Sequence, residues 1–125
     1  MSAPPRGEFG SNSTGQDTLS YLRDVLADNI AGQDLPLNSF AAICGLHPRR
    51  LQRILSAAGT SYSQIKDDVR RSLTEDLLSD KTKPMDEIAQ RVGLSGPAAL
   101  HRAFRRWTGK TPTRFRAETS HGQIA

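Results

Sequence analysis

The stretch that most restricts the fold is Met85–Arg116, MDEIAQRVGLSGPAALHRAFRRWTGKTPTRFR. Ile88, Ala89 and Val92 fall at i, i+1 and i+4, one face of a short helix. Gly93 follows at the place where a helix ends on a left-handed residue, a conformation glycine takes without steric cost. Ser95 is predicted to cap a second helix, with Pro97 in its first turn. In that helix Leu100, Ala103, Phe104 and Trp107 recur at three and four, while His101, Arg102, Arg105 and Arg106 fall elsewhere. Two short helices across a tight turn, the second apolar inside and basic outside, form the arrangement that presents a helix to a DNA major groove.

The unit occurs twice. FAAICGLHPRRLQRIL aligns with IAQRVGLSGPAALHRAF about 48 residues later. Phe40 pairs with Ile88, Ala41 with Ala89, Cys44 with Val92, Gly45 with Gly93 and Leu46 with Leu94. After one inserted residue, Leu51 pairs with Leu100, Gln52 with His101, Arg53 with Arg102 and Leu55 with Phe104. One such stretch is a weak signal, because any two small helices can mimic it. Two in register, each with an outward basic face, are hard to obtain by chance.

The rest of the chain reads as helices around these two. Residues 1–16 are rich in Gly, Pro, Ser and Asn, and are predicted to be a disordered tail, with the residues around GEFGS resembling a cloning linker. Asp17 or Thr18 is expected to cap a first helix, with Leu19, Leu22, Val25, Leu26 and Ile30 as its stripe and Gly32 as its stop. Asp34 before Pro36 opens a second helix, and His47-Pro48 a third in which Leu51, Ile54 and Leu55 face inward. Ser61 and Gln64 have capping-box spacing at the start of a long helix. Its apolar residues Ile65, Val69, Leu73 and Leu77 fall every fourth position over about 27 Å, and its remaining faces, Arg70 included, are expected to be wet. Pro84 opens the next short helix, Pro112 a last one through Phe115, and the end is expected to fray. No strand pattern is present. The expected architecture is all-α, about seven helices in two helix-turn-helix subdomains, residues 17–82 with the long connector and 83–118, with residues 119–125 as a frayed tail. Successive major grooves on one face of DNA lie about 34 Å apart, so a connector of this length suits two recognition helices carried by a monomer.

Charge supports a polyanionic partner. The net charge is +4, and after Gly96 six Lys or Arg (Arg102, Arg105, Arg106, Lys110, Arg114, Arg116) face the single Glu118. Cys44 is alone, so no disulfide can form within the chain. No apolar run is long enough to span a membrane and no apolar signal core opens the chain, which favours a cytoplasmic protein. No carboxylate pair, nucleophile elbow, phosphate loop or metal-ligand spacing appears, so no enzyme, cofactor or metal is expected.

Leu35 to Arg116 resembles the DNA-binding domain of the AraC/XylS family of bacterial transcription regulators. The stretch IAQRVGLSGPAALHRAFRRWTGKTPTRFR matches the family signature at its second motif, and LHPRRLQRILSAAGTSYSQIKDDVRR is similar to members whose full chains carry a large effector-binding domain. The resemblance implies sequence-specific binding of double-stranded promoter DNA by two helices in successive major grooves. It also implies a C-terminal fragment of a larger effector-responsive protein, itself monomeric. The first motif places Arg49, Gln52 and Arg53 where the family's recognition helix meets DNA. Arg can bond bidentately to guanine and Gln to adenine. In the second motif His101 and Arg102 are expected to reach base edges. Leu94 and Leu100 stand where the family usually has an aromatic, and Gly96, Pro97 and Ala98 stand where polar readers are expected; Ala98 can meet only a thymine methyl. Arg50, Arg105, Arg106, Lys110 and Arg114 are expected to hold phosphates, with the backbone amides near Ser95 and Thr113. His47 is expected to cap a helix or lie near a phosphate, and Cys44, Phe104 and Trp107 to be core. The competing expectation is a helical interaction module that contacts RNA polymerase through acidic residues of the long helix.

Overall fold

A computed structural model describes residues 15–32 and 34–124. It is all-α, with seven helices and no strand among the described residues: α1 (Gly15–Asn29), α2 (Leu37–Ile43), α3 (Pro48–Ala57), α4 (Tyr62–Leu78), α5 (Met85–Arg91), α6 (Pro97–Thr108) and α7 (Pro112–Ile124). The expected disordered tail lies outside the described residues up to position 14. The helix that follows starts at Gly15, ahead of the expected caps. Asp17 sits inside its first turn instead, where a carboxylate complements the helix dipole.

The chain divides into two compact units, and the division along α4 falls between Lys66 and Asp67. The first unit contains α1, α2, α3 and the start of α4. Leu19, Leu22 and Leu26 of α1, spaced three and four apart, are buried. So are Phe40 and Ala41 of α2 and Cys44 at its end, Leu51 and Leu55 of α3, and Ile65. Packing of α2 on α3 makes the helix pair that the repeat predicts. Ser61 Oγ accepts from the Gln64 N–H at 3.2 Å, half of the expected capping box. Tyr62 stacks on Phe40 with ring centroids 5.1 Å apart, and its hydroxyl donates to the Leu35 carbonyl. Lys66, expected in solvent, also donates to that carbonyl at 3.3 Å.

The second unit contains residues 30–34, the rest of α4, and α5 to α7. Its core is Leu78, Ile88, Ala89, Val92, Leu100 and Phe104, with Leu73, Leu77, Met85, Leu94, Trp107 and Phe115 packed around it. This is why the boundary falls inside α4: the leucines near its C-terminus belong to this core. In this unit the buried residues of α4 are Val69, Arg70, Thr74 and Leu78, with Leu73 and Leu77 at the edge of the core, so beyond Val69 the inward row lies one residue on from the expected Leu73 and Leu77. Thr74 satisfies its hydroxyl by donating to the Arg70 carbonyl at 2.7 Å.

The two helix turns are the same structure. Gly45 has φ +73° and Gly93 φ +80°, values that a side-chain-bearing residue reaches only with strain. Gly45 N–H donates to Ala42 and Leu46 N–H to Ala41; Gly93 N–H donates to Gln90 and Leu94 N–H to Ala89. Each pair is the paired-bond termination in which the glycine and the residue after it satisfy the last open carbonyls of the helix. Repeat residues thus recur in backbone geometry as well as in burial.

Arg70 is the main departure from the sequence reading. It is buried, not wet. Its Nε donates to the Val92 carbonyl at 3.1 Å, and one Nη to Asp34 at 2.8 Å and toward the Gly93 carbonyl at 3.4 Å. The guanidinium therefore closes the end of α5, where helix carbonyls otherwise lack donors. Gly32 N–H donates to the Gln90 carbonyl at 2.7 Å and ties residues 30–34 to the same helix end. Arg116 does similar work at the end of α4, donating to the carbonyls of Leu78, Asp80 and Lys83 at 3.0, 3.1 and 2.9 Å. The last helix runs to Ile124 and not only through Phe115, because nothing before Gly122 interrupts it.

Arg70→Ala orphans the Val92 carbonyl and is expected to destabilise the fold by about 1–3 kcal/mol. The neighbouring Arg71→Ala removes only a 3.8 Å half-exposed pair with Glu75 and is expected to change stability by no more than about 0.5 kcal/mol. Urea unfolding followed by circular dichroism measures both.

Candidate nucleic-acid interface

The exposed face of α3 follows from its spacing. Leu51 and Leu55 are inward and Ile54 half-buried, which leaves Arg49, Arg50, Gln52 and Arg53 exposed. His47 is the N-cap, as one of its two expectations had it: its Nδ1 accepts from the Arg49 N–H at 3.1 Å, and Pro48 follows at the first helical position. The helix starts, capped, just where the arginines begin.

The exposed face of α6 has the same construction. Leu100, Ala103 and Phe104 are buried, so Ala98, His101, Arg102, Arg105 and Arg106 are exposed. Phe104 meets Phe115 edge-on at 5.4 Å and Trp107 at 6.4 Å, so Phe104 lies in the core, as expected, and the partly buried Trp107 packs against it. Ser95 does not cap this helix. Gly96 holds the cap position in extended backbone, φ 169°, without a side-chain bond. Since Pro97 begins the helix, Ser95 lies one residue too early; it is exposed next to the uncapped amides of Ala98 and Ala99.

The expected base-reading residues Arg49, Gln52, Arg53, His101 and Arg102 are all exposed, and none has a side-chain hydrogen bond or ion pair to another described residue. The same holds for Arg50 and Arg105. The other expected phosphate contacts are paired. Arg106 lies 3.6 Å from Asp67. Lys110 and Arg114 share Glu118, at 2.6 and 3.1 Å. Hydrogen bonds from Lys110 first, then Arg114, hold the Glu118 carboxyl below its ordinary range. Glu118 therefore stays ionised at neutral pH and the clamp opens only as pH falls into the acid range. Exposed pairs of this kind are weak, so a phosphate can replace the carboxylate at little cost.

Thr113 is exposed in the first turn of α7, as a phosphate-facing amide requires. The cap of that helix is Thr111, whose Oγ1 accepts from the Arg114 N–H at 3.1 Å. Thr111-Pro112 carries the cap-then-proline signal that locates it. Arg116 leaves the interface altogether, since its guanidinium is spent on backbone carbonyls. Neither the buried Arg70 nor the half-buried Arg116 was visible as such in the sequence, because nothing in a helical period distinguishes an arginine aimed at a carbonyl from one aimed at water.

No group of three metal-ligating side chains occurs among the described residues, and no described helix is long and apolar enough to cross a membrane. Burial pushes the Cys44 thiol up to about 11.

Two glycine-turned helix pairs, each presenting a cationic helix, define a helix-turn-helix DNA-binding protein. A family model of a helix-turn-helix domain matches residues 40–118, and the chain belongs to the AraC-type family of DNA-binding domains, which bind specific sequences in transcription regulation. The ornithine utilization regulator of Pseudomonas aeruginosa is 44% identical over 68 residues, covering 54% of this chain and 20% of that protein. The HTH-type transcriptional regulator VqsM of the same organism is 34% identical over 93 residues, covering 74% of this chain and 29% of that protein. This chain therefore spans less than a third of the length of either. Among solved structures, a DNA-binding transcriptional dual regulator from Escherichia coli K-12 shares the fold with a TM-score of 0.76 at 20% identity, over 90% of this chain and 97% of the other. The DNA-binding domain of AdpA, solved in complex with a target DNA, has a TM-score of 0.66 at 26% identity, over 80% and 90%.

Cys44 is expected to behave as an inert core residue. At pH 7.5 its thiolate fraction is about a hundredfold below that of an ordinary thiol. Iodoacetamide is expected to label the native protein far more slowly than the urea-unfolded chain; equal rates would mean an accessible, sensor-like thiol.

Proposed function

We propose that α3 and α6 are the recognition helices, each reading base edges in the major groove of its own half of a bipartite promoter site. The observation that carries this is the repeated exposed ridge, Arg49, Gln52 and Arg53 on α3 and His101 and Arg102 on α6, in register and without side-chain partners among the described residues. Charged side chains left unpaired on a rigid helix are available to an external acceptor, and arginine and glutamine match guanine and adenine edges bidentately. Arg50, Arg105, Arg106, Lys110 and Arg114, with the helix-start amides near Ser95 and Thr113, hold phosphates and set register without reading sequence. Arg106, Lys110 and Arg114 exchange a carboxylate for a phosphate on binding.

The AdpA domain, which shares this fold and was solved in complex with a target DNA, supports DNA as the partner of this chain. Relatives three to five times longer than the matched segment support a role as the DNA-binding part of a larger effector-responsive regulator.

Selection of bound duplexes from a random pool is expected to return a bipartite site of about 20 base pairs. Arg53→Ala is expected to cost about 1–3 kcal/mol and relax choice at one base pair, whereas Arg106→Ala weakens all sequences alike and lowers the salt slope by about 1. Titration by fluorescence anisotropy at several salt concentrations separates the two. Unchanged discrimination by the Arg53 variant would remove α3 as a base reader, and no binding to duplex DNA at low salt would end the proposal.

A further inference from the structure

The geometry points to a specific chemistry for the half-site under α6: we propose that one base pair there is chosen through the C5-methyl of thymine, with Ala98 as the side chain that reads it. This rests on the placement of α6 in the major groove proposed above.

The argument begins with the repeat. On α3 the exposed ridge is Arg49, Gln52, Arg53 and Ser56, at i, i+3, i+4 and i+7. On α6 the same ridge is Ala98, His101, Arg102 and Arg105, also exposed throughout. Register fixed by Leu51 and Leu100, both fully buried, sets Ala98 opposite Arg49. The first-turn reader that is a guanidinium in one unit is a methyl in the other. Its neighbours add no polar side chain. Pro97 is exposed and apolar, and Gly96 has no side chain, with no heavy atom within 4 Å of where a Cβ would sit.

The leading end of α6 is thus low and apolar, so it can approach the groove floor closely. Covering a donor or acceptor on a base edge with that surface, without replacing its hydrogen bond, is unfavourable. Thymine alone offers an apolar group on the major-groove edge. His101 and Arg102, one turn further on, supply the donors for the adjacent base pairs. The thymine contact and the histidine–arginine pair are then two parts of one short readout.

The test uses the duplex obtained by selection. Each thymine in the half-site protected by α6 is replaced singly by deoxyuridine, which removes only the methyl. One position is expected to lose about three- to fivefold in affinity, the loss for burying one methyl fewer. The same substitution is expected to cost nothing in Ala98→Gly, whose fold is checked by circular dichroism. Ala98→Gln keeps the helix and is expected to shift the preferred base at that position toward adenine. If every deoxyuridine is neutral while His101→Ala still weakens binding, the methyl reading is wrong and α6 remains a reader. If His101→Ala and Arg102→Ala are neutral as well, α6 does not enter the groove and the underlying proposal fails with it.

Discussion

A glycine in the left-handed region, at the end of a seven-residue helix, is the constraint on which both units depend. It ends the first helix of each pair by using its own N–H and that of the next leucine to satisfy open carbonyls. The chain then leaves in a fixed direction, and the second helix starts within a few residues. Apolar residues at three- and four-residue spacing turn one side of that helix into the core, so the other side has to face out. The basic side chains need no special device to be displayed. They are exposed because the leucines and Phe104 are not.

The second unit adds a further device. Arg70 brings a permanent charge into a buried place and satisfies it with the Val92 carbonyl and Asp34. A buried charge is costly unless so paired, and removing one partner costs more than the pair contributes. Arg116 closes the end of α4 by the same means. Two of the many cations of this chain therefore serve its own backbone. Six others, Arg71, Lys83, Arg91, Arg106, Lys110 and Arg114, are held by carboxylates, whereas Arg49, Arg50, Arg53, Arg102 and Arg105 on the exposed sides of α3 and α6 have no side-chain partner among the described residues.

Helix type, number and turn positions were legible in the sequence because glycine, proline and apolar period act locally. The buried faces of α5 and α6 and the exposure of all five expected readers followed from the same period. Other features were not legible for physical reasons. A drifting stripe on α4 cannot be placed from i+4 spacing, since the core it meets changes along the helix. Arg70 and Arg116 read as wet because side-chain type carries no record of a carbonyl at the far end. The cap of α6 was misplaced by one residue, although Pro97 already marks the first helical position. Pairing of Lys110 and Arg114 with Glu118 depended on the last helix continuing past Phe115, which a short-helix expectation did not allow.

The account stands on the claim that the exposed ridges of α3 and α6, and not another surface, meet the bases. Nuclear magnetic resonance of the labelled protein on its selected duplex measures this directly. The account predicts intermolecular contacts to base protons from Arg49, Gln52, Arg53, Ala98, His101 and Arg102, with only sugar and phosphate neighbours at Lys110 and Arg114. Base contacts confined to other helices, or none from either ridge, would contradict it.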